Sequence, residues 1–437
     1  MQHVTIDAVL EQAGAGRFQR RLLGVFGLVW TADAMQVLAV GFTVASIAAS
    51  FGLTVPEALQ TGALFFLGML IGAALFGRLA DKIGRRRILI LTVGMDAVFG
   101  LASAFAPDFT SLLILRFLTG LAVGGTLPVD YAMMAEFLPP SRRGRWLVML
   151  EGFWAIGTVI VAVTAWIASV SATVEIWRVI FFVTGIPAIL GFFLRFWIPE
   201  SPMYLLRNGR EDEAHSILDR MLDTNGKPRL AGKRLALPRS TQEEGIFSPK
   251  LRARTILILS VWFLVSMSYY GVFTWMPAQL ATEGFGFVRG YGFLVALALA
   301  QIPGYALAAW GVERWGRRPT LVVFLILSAA GCVLFVLAST SAPLVGAALL
   351  VMSFSLLGTW GALYAFTPEL YPTASRGTGM GIAGAMARLG GLLAPSVLVY
   401  LFIQSMVAAI GLFAGLLFFA ALLANAIDVE TRSQALD

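Results

Sequence analysis

The stretch Gly77–Arg87, GRLADKIGRRR, decides the fold. Long apolar runs flank it on both sides. The stretch itself packs one carboxylate (Asp81), five basic groups (Arg78, Lys82, Arg85, Arg86, Arg87) and three small breaks (Gly77, Ala80, Gly84) into eleven residues. That composition fits a tight charged turn between two helices at a membrane surface. A shorter copy, VERWGRRP, lies at Val312–Pro319, where Glu313, Gly316, Arg317 and Arg318 stand as Asp81, Gly84, Arg85 and Arg86 do in the first. Two copies of one turn predict a chain made of two related halves.

The rest of the chain agrees. Of 437 residues, 58% are hydrophobic and 13% charged, against about 25% charged in soluble domains, and the mean hydropathy is +0.81. Apolar runs recur near the ~20 residues that cross a ~30 Å hydrocarbon core. Six fall between residues 22 and 198 and six between 254 and 427, with a polar insert between the sets. The predicted division is 1–198, a cytoplasmic insert at 199–253, and 254–437. The first run, from Leu22, is too long and glycine-rich for a cleaved signal peptide and reads as a retained span. Within the insert, Leu205, Leu206, Ala214, Ile217, Leu218, Met221 and Leu222 recur at helical spacing among charges, which predicts one or two amphipathic helices. Thr224–Pro249 reads as a flexible linker.

Basic residues set the orientation. With the Gly77–Arg87 turn placed in the cytoplasm, 27 of the 32 Lys and Arg face that side, so both termini are expected there. The net charge of +7 lies between spans rather than on one soluble face, which argues against a nucleic-acid partner. A single cysteine, Cys332, permits no intrachain disulfide. His3 and His215 both fall outside the spans, so neither a histidine metal site nor a Ser/His device is expected. No phosphate-binding GxxxxGK[ST] loop is present. The chain is expected to be no enzyme and to use no cofactor or metal.

Further motifs carry a family resemblance: RFLTGLAVGG from Arg116, EFLPPSRRGR from Glu136, PESPMYLL from Pro199 and PELYPTASRGTG from Pro368. The last repeats the second, with Glu369, Pro372, Arg376 and Gly377 standing as Glu136, Pro139, Arg143 and Gly144 do. With the two charged turns, they resemble the major facilitator superfamily, in the branch shared by sugar porters, organic ion transporters and synaptic vesicle glycoprotein 2. The TADAMQVLAVGF stretch resembles bacterial niacin transporters and the vesicle glycoprotein most closely. The resemblance implies an all-α membrane protein of twelve transmembrane helices in two pseudo-symmetric halves around a central cavity. It also implies alternating access, with substrate bound near the midplane. The implied cytoplasmic gate comprises Asp81, Arg85, Arg86, Glu136, Arg143, Glu200, Glu313, Arg317, Glu369 and Arg376.

Charges inside spans cost about 2.5 kcal/mol or more at the centre and so mark function. Asp33, Asp96, Arg116, Asp130, Glu151 and Arg388 all lie in apolar runs. Asp33 with Arg116 resembles the proton-coupling pair of proton-driven sugar porters; an arginine beside the aspartate keeps it ionised until the two separate. The vesicle-protein pattern often has an acidic group where Gln36 stands. Arg388, among Gly384, Ala385, Ala387, Gly390 and Gly391, has no acidic partner in its own half and suits a carboxylate, which a guanidinium grips bidentately. Pairing with Glu151 or Asp130 is the alternative.

Aromatic residues complete the expected cavity wall: Trp30, Tyr270, Phe273, Trp360 and Tyr364, with Gln36, Glu151, Gln301 and Tyr305 as polar contacts. Flat rings suit a flat aromatic solute. Tyr269 and Tyr270 stand where sugar porters carry paired glutamines. The leading expectation is a proton-coupled importer of a small aromatic carboxylate, nicotinate first, monomeric in the bacterial inner membrane, with protons and the lipid bilayer as its other partners. The alternatives are another organic ion, a sugar, a proton-independent uniporter, or a transporter-shaped sensor.

Overall fold

The computed structural model describes residues 3–171, 175–230, 234–236, 245–275, 291–338, 341–372, 375–402 and 406–431. The expectations for Asp81 and Arg376 fall on side chains outside that description. A short helix α1 (Ile6–Ala13) leads into six long helices: α2 (Arg17–Phe51), α3 (Gln60–Ile83), α4 (Arg85–Ser103), α5 (Phe109–Ala135), α6 (Arg143–Val170) and α7 (Ile176–Leu194). Two short helices follow, α8 (Pro202–Arg207) and α9 (Glu211–Thr224). Six more long helices complete the chain: α10 (Arg252–Tyr270), α11 (Tyr291–Arg314), α12 (Arg317–Leu337), α13 (Ala342–Phe366), α14 (Arg376–Phe402) and α15 (Met406–Asn425). Among the described residues, ten of these twelve are long and apolar enough to cross a membrane. The other two are α4, which opens on Arg85, Arg86 and Arg87, and α14, which carries Arg388.

Local chemistry starts and stops these helices. Asp108 caps α5, its Oδ1 accepting from the Ser111 amide at 2.9 Å. α2 ends on Gly52 at φ 64°, a left-handed stop. Turns without room for a side chain begin α4 and α12: Gly84 has φ 111° and Gly316 φ 112°. A β-carbon at Gly84 would lie 2.7 Å from Glu200 Oε2, and one at Gly316 2.8 Å from Glu430 Cδ.

The helix pairings repeat. In the first six, α3 packs on α5, α4 on α5 and α7, and α2 on α6 and α7. In the second six, α11 packs on α13, α12 on α13 and α15, and α10 on α14 and α15. The two sets meet chiefly where α6 packs on α11 and α3 on α14. The α3–α5 crossing is the tightest, because Gly68 and Gly72 face Gly120 and Gly124. A β-carbon on any of the four would run into the partner's backbone. Small residues four apart allow such close approach, which drives helix association in lipid. Outward, Leu75, Val98, Ile114, Ile167, Phe193 and Leu344 stand exposed, a continuous apolar exterior suited to lipid.

The insert forms the expected helices: Leu205 of α8 and Ala214, Leu218, Met221 and Leu222 of α9 are buried. The linker reading of Thr224–Pro249 needs correction. Strand β2 (Arg234–Ala236) pairs in parallel with β1 (His3–Thr5), Val4 opposite Leu235. Asn225 ties the same regions together, its Oδ1 accepting from the Phe18 amide at 3.0 Å and its Nδ2 donating to Gln19 Oε1 at 2.8 Å. Three-residue strands are too short to show an alternating pattern. Residues 231–233 and 237–244 of that stretch lie outside the described set.

Candidate functional site

The charged turns build two matching clusters at one end of the bundle. In the first, Arg85 pairs with Glu136, which also accepts from the Ser201 hydroxyl. In the second, Arg317 pairs with Glu369 at 3.0 Å, and Glu369 accepts from the Thr431 hydroxyl. Each cluster has a second carboxylate capping a helix start. Glu200 accepts from the Arg86 amide at 3.1 Å. Glu430 accepts from the Arg317 and Arg318 amides at 2.9 and 3.0 Å. Carboxylates at helix N-termini satisfy donors that have no partner within the helix. Burial pushes the Glu136 carboxyl above its usual range, and the Arg85 guanidinium and the Ser201 hydroxyl offset this only in part.

Not every predicted gate residue joins its predicted partner. Arg143 bonds the Ala135 carbonyl at 3.1 Å and reaches Asp7 of α1 at 3.3 Å, rather than a motif glutamate. Glu313 stands exposed at the end of α11. Glu430 was missed by the sequence reading, although Glu430-Thr431 after the last long helix repeats Glu200-Ser201 after the sixth. The two helix sets touch at this end. A β-carbon on Gly144, at the start of α6, would lie 3.6 Å from Glu369 Oε1 and 3.9 Å from Arg317 Nη2. Deeper in, Tyr131 of α5 donates to the Tyr364 carbonyl of α13 at 3.3 Å, with their rings 5.3 Å apart.

Inside the bundle, all six expected charges are buried: Asp33, Asp96, Arg116, Asp130, Glu151 and Arg388. Arg116 does not pair with Asp33 here. It donates to Gln36 Oε1 at 2.8 Å and to the Gln36 carbonyl at 2.9 Å, and its guanidinium lies 4.5 Å from both the Phe65 and Phe181 rings. The rings supply the favourable contact that a cation needs when stripped of water. Gln36, expected to touch substrate, is thus a partner of Arg116.

Arg388 lies buried on α14. Its Nη1 donates to the Gly384 carbonyl at 2.7 Å, and its buried Nε has no partner. Among the described residues no carboxylate lies within ion-pair distance of it. Asp33, Glu151, Tyr270 and Tyr364 are its electrostatic neighbours, drawn from α2, α6, α10 and α13.

Five of the predicted aromatics join one continuous wall. Trp30 lies 6.4 Å from Tyr364, Tyr364 4.7 Å from Trp262, and Trp262 5.3 Å from Trp360. Trp360 lies 5.8 Å from Tyr269, which meets Tyr270 at 5.1 Å and Phe273 at 4.9 Å. Tyr269 bridges the sets again, accepting from Trp154 Nε1 at 2.9 Å. Trp262 and Tyr131 were not predicted; the spacing of Trp262 to Tyr269, seven residues on one helix face, is the signal that was available. Gln301 and Phe273 line a cavity with Leu38, Phe42, Thr158 and Leu297. Tyr305, on α11, packs beside Gly361 of α13. Several buried polar atoms have no partner among the described residues: both side-chain ends of Gln301, Glu151 Oε1, Trp30 Nε1 and Trp360 Nε1. Buried polar atoms in folded proteins are nearly always paired, so these stand out.

Known proteins resemble this chain along almost all of its length. The niacin transporter NiaP of Acinetobacter baylyi is 35% identical over 397 residues, covering 90% of each chain. The synaptic vesicle 2-related protein of Xenopus laevis is 30% identical, covering 99% of this chain and 82% of its own. The fold matches that of the xylose transporter XylE from E. coli in a partially occluded inward-open conformation. That match has a TM-score of 0.77 at 18% identity and covers 96% of this chain and 99% of the other. The Major Facilitator Superfamily sequence profile matches residues 24–395 and 291–434. The chain is an integral membrane transport protein of the major facilitator superfamily.

Proposed function

We propose that this transporter imports a small aromatic carboxylate, nicotinate first, together with a proton. The observation that carries the reading is Arg388: a buried guanidinium with no carboxylate in ion-pair range among the described residues, beside a wall of rings. A carboxylate on Arg388 gains charge-assisted hydrogen bonds in a site shielded from water. Its ring then lies against Tyr270, Trp360 or Tyr364. The likeness to a niacin transporter points to the same cargo.

In this reading the two six-helix units, 1–198 and 254–437, rock about the central site, with 199–253 between them on the cytoplasmic side. The charged end faces the cytoplasm of the bacterial inner membrane, and both termini lie there. The Arg85–Glu136 and Arg317–Glu369 clusters stiffen the closed cytoplasmic end, and Gly144 and Tyr131 are the points at which the units part. An anionic cargo adds one negative charge to an interior that, among the described residues, already buries four carboxyl groups and two guanidiniums. A proton entering with it restores the balance, since isolated buried charge is costly. Purified protein in liposomes should show counterflow of labelled nicotinate that excess nicotinate or benzoate suppresses. Failure of both to compete with whatever solute is carried would refute the carboxylate reading.

A further inference from the structure

We infer that Asp96 of α4 is a second proton-carrying residue, working as a pair with Asp33 and linked to Arg116 through Gln36. The inference rests on the proton-coupled reading above and names the partner which that reading lacks. Asp33 and Asp96 are both 1% exposed, and Asp33 Oδ2 and Asp96 Oδ1 have no hydrogen-bond partner. Their helices meet beside them: Ala32, Ala97 and Ala188 form one small buried cluster, and each aspartate adjoins one of these alanines in sequence. Gln36, one turn along α2 from Asp33, completes the link. Its Oε1 and backbone carbonyl hold Arg116, and its Nε2, buried and unpartnered, faces α4. A β-carbon at Gly100 would collide with Gln36 Nε2 and come 3.2 Å from Asp96 Oδ1, so the amide and the carboxyl line one gap.

Among the described residues, the charged groups facing the pair are these. Asp96 faces Asp33 and Arg116; Asp33 also faces Asp130 of α5 and Arg388 of α14. α7 brings apolar side chains, Ala188 and Ile189, and Phe181 against Arg116, while its one charged residue, Arg178, bonds Glu175 at the far end. Arg116 neighbours Asp96, and two carboxyl groups in one buried gap can share one proton between them, since like charges in one site disfavour joint ionisation. The step is a plain transfer. A carboxylate takes H+ from the outer side to become a carboxylic acid, and releases the same H+ inward after the units rock. A slide of Gln36 relative to Asp96 changes which carboxylate Arg116 serves, and so whether the proton is kept.

The test uses full-length protein in liposomes with labelled nicotinate, an inward acid gradient for uphill accumulation, and equal pH for counterflow. Asp96→Asn should lose at least about tenfold of gradient-driven accumulation while counterflow persists and loses its pH dependence. Asp96→Glu should restore accumulation, with the pH profile displaced; a merely structural role would make Glu as damaging as Asn. Should Asp96→Asn fail to fold, Asp96→Glu decides alone, because an unmoved pH profile there overturns the inference. Accumulation by Asp96→Asn equal to the parent overturns it while the coupled reading stands, provided Asp33→Asn abolishes accumulation. Absence of any gradient-driven accumulation in the parent protein overturns both.

Discussion

Replacing Arg388 is the sharpest test of what this transporter carries. The Gly384 carbonyl holds one nitrogen of the guanidinium at 2.7 Å, and the unpartnered Nε is left for a side-on grip on a carboxylate. Lysine keeps the charge but brings one donor centre instead of a planar fork. The loss is then about one charge-assisted hydrogen bond, roughly 1.5–3 kcal/mol. At about 1.4 kcal/mol per tenfold, Arg388→Lys should weaken nicotinate binding some 10- to 150-fold. Arg388→Gln removes the charge, and the preference for nicotinate over uncharged nicotinamide should collapse toward unity. Counterflow of labelled nicotinate, with each compound as competitor, measures both effects. A melting profile on the same preparations checks that the variants fold. If Arg388→Lys binds nicotinate as tightly as the parent and Arg388→Gln still prefers it to nicotinamide, the cargo's carboxylate lies elsewhere and the reasoning fails.

Gly84→Ala and Gly316→Ala should each lower the melting temperature by several degrees. Left-handed backbone costs an L-residue about 1–2 kcal/mol, and each new methyl meets a capping carboxylate within 3 Å. Gly77→Ala, with nothing within 4 Å and no unusual backbone angle, should leave the same measurement unmoved. Glu136 gives a pH signature. Its folded value lies above the ordinary 4.5, so its contribution to stability is fully present below that value and is lost as pH rises through the folded one. Glu136→Gln should flatten that part of a melting-temperature–pH profile. Glu369→Gln weakens the Arg317 pair beside Gly144, so spin-label distances across the cytoplasmic end should broaden toward longer values while the profile of the opposite end holds.

Much of the fold was legible because membrane helices declare themselves through length and hydropathy, and because the charged turns come in duplicate. The family resemblance of their motifs marks Arg85, Glu136, Arg317 and Glu369 as gate residues, but which glutamate meets which arginine is seen only in the packing. Individual side-chain contacts between helices were not legible. Sequence places Asp33 and Arg116 at plausible depths, but only packing reveals that Gln36 reaches Arg116 first and that Phe65 and Phe181 stack on it. The paired three-residue strands lay hidden because a parallel pair joining His3–Thr5 to Arg234–Ala236 leaves no local pattern. Likewise the ring wall runs through Trp262, which in sequence is one more aromatic in an apolar run.

The two helix sets share one architecture but not one chemistry, and that asymmetry bears on how cargo drives the cycle. Among the described residues, the buried carboxyls Asp33, Asp96, Asp130 and Glu151 and the buried Arg116 all belong to the first six long helices, whereas the second six contribute Arg388 alone. The second set instead supplies most of the rings: Trp262, Tyr269, Tyr270, Trp360 and Tyr364. An anion gripped by Arg388 therefore changes the field felt by carboxyls on the opposite set, without needing to touch them. If the sets rock apart at one end and together at the other, the separation of Arg388 from Asp33 and Glu151 changes with them. Cargo binding, proton occupancy and the opening of either end then become one linked equilibrium, in which each can shift the others only by its differential interaction with the two arrangements. Moving the cation to a carboxyl-bearing helix, by Arg388→Gln together with Thr158→Arg on α6, where Thr158 lines the cavity beside Gln301 and Phe273, should thus fail to restore coupled accumulation even where it restores nicotinate binding. Full recovery of accumulation in that double variant would show that the division of charge between the sets is incidental.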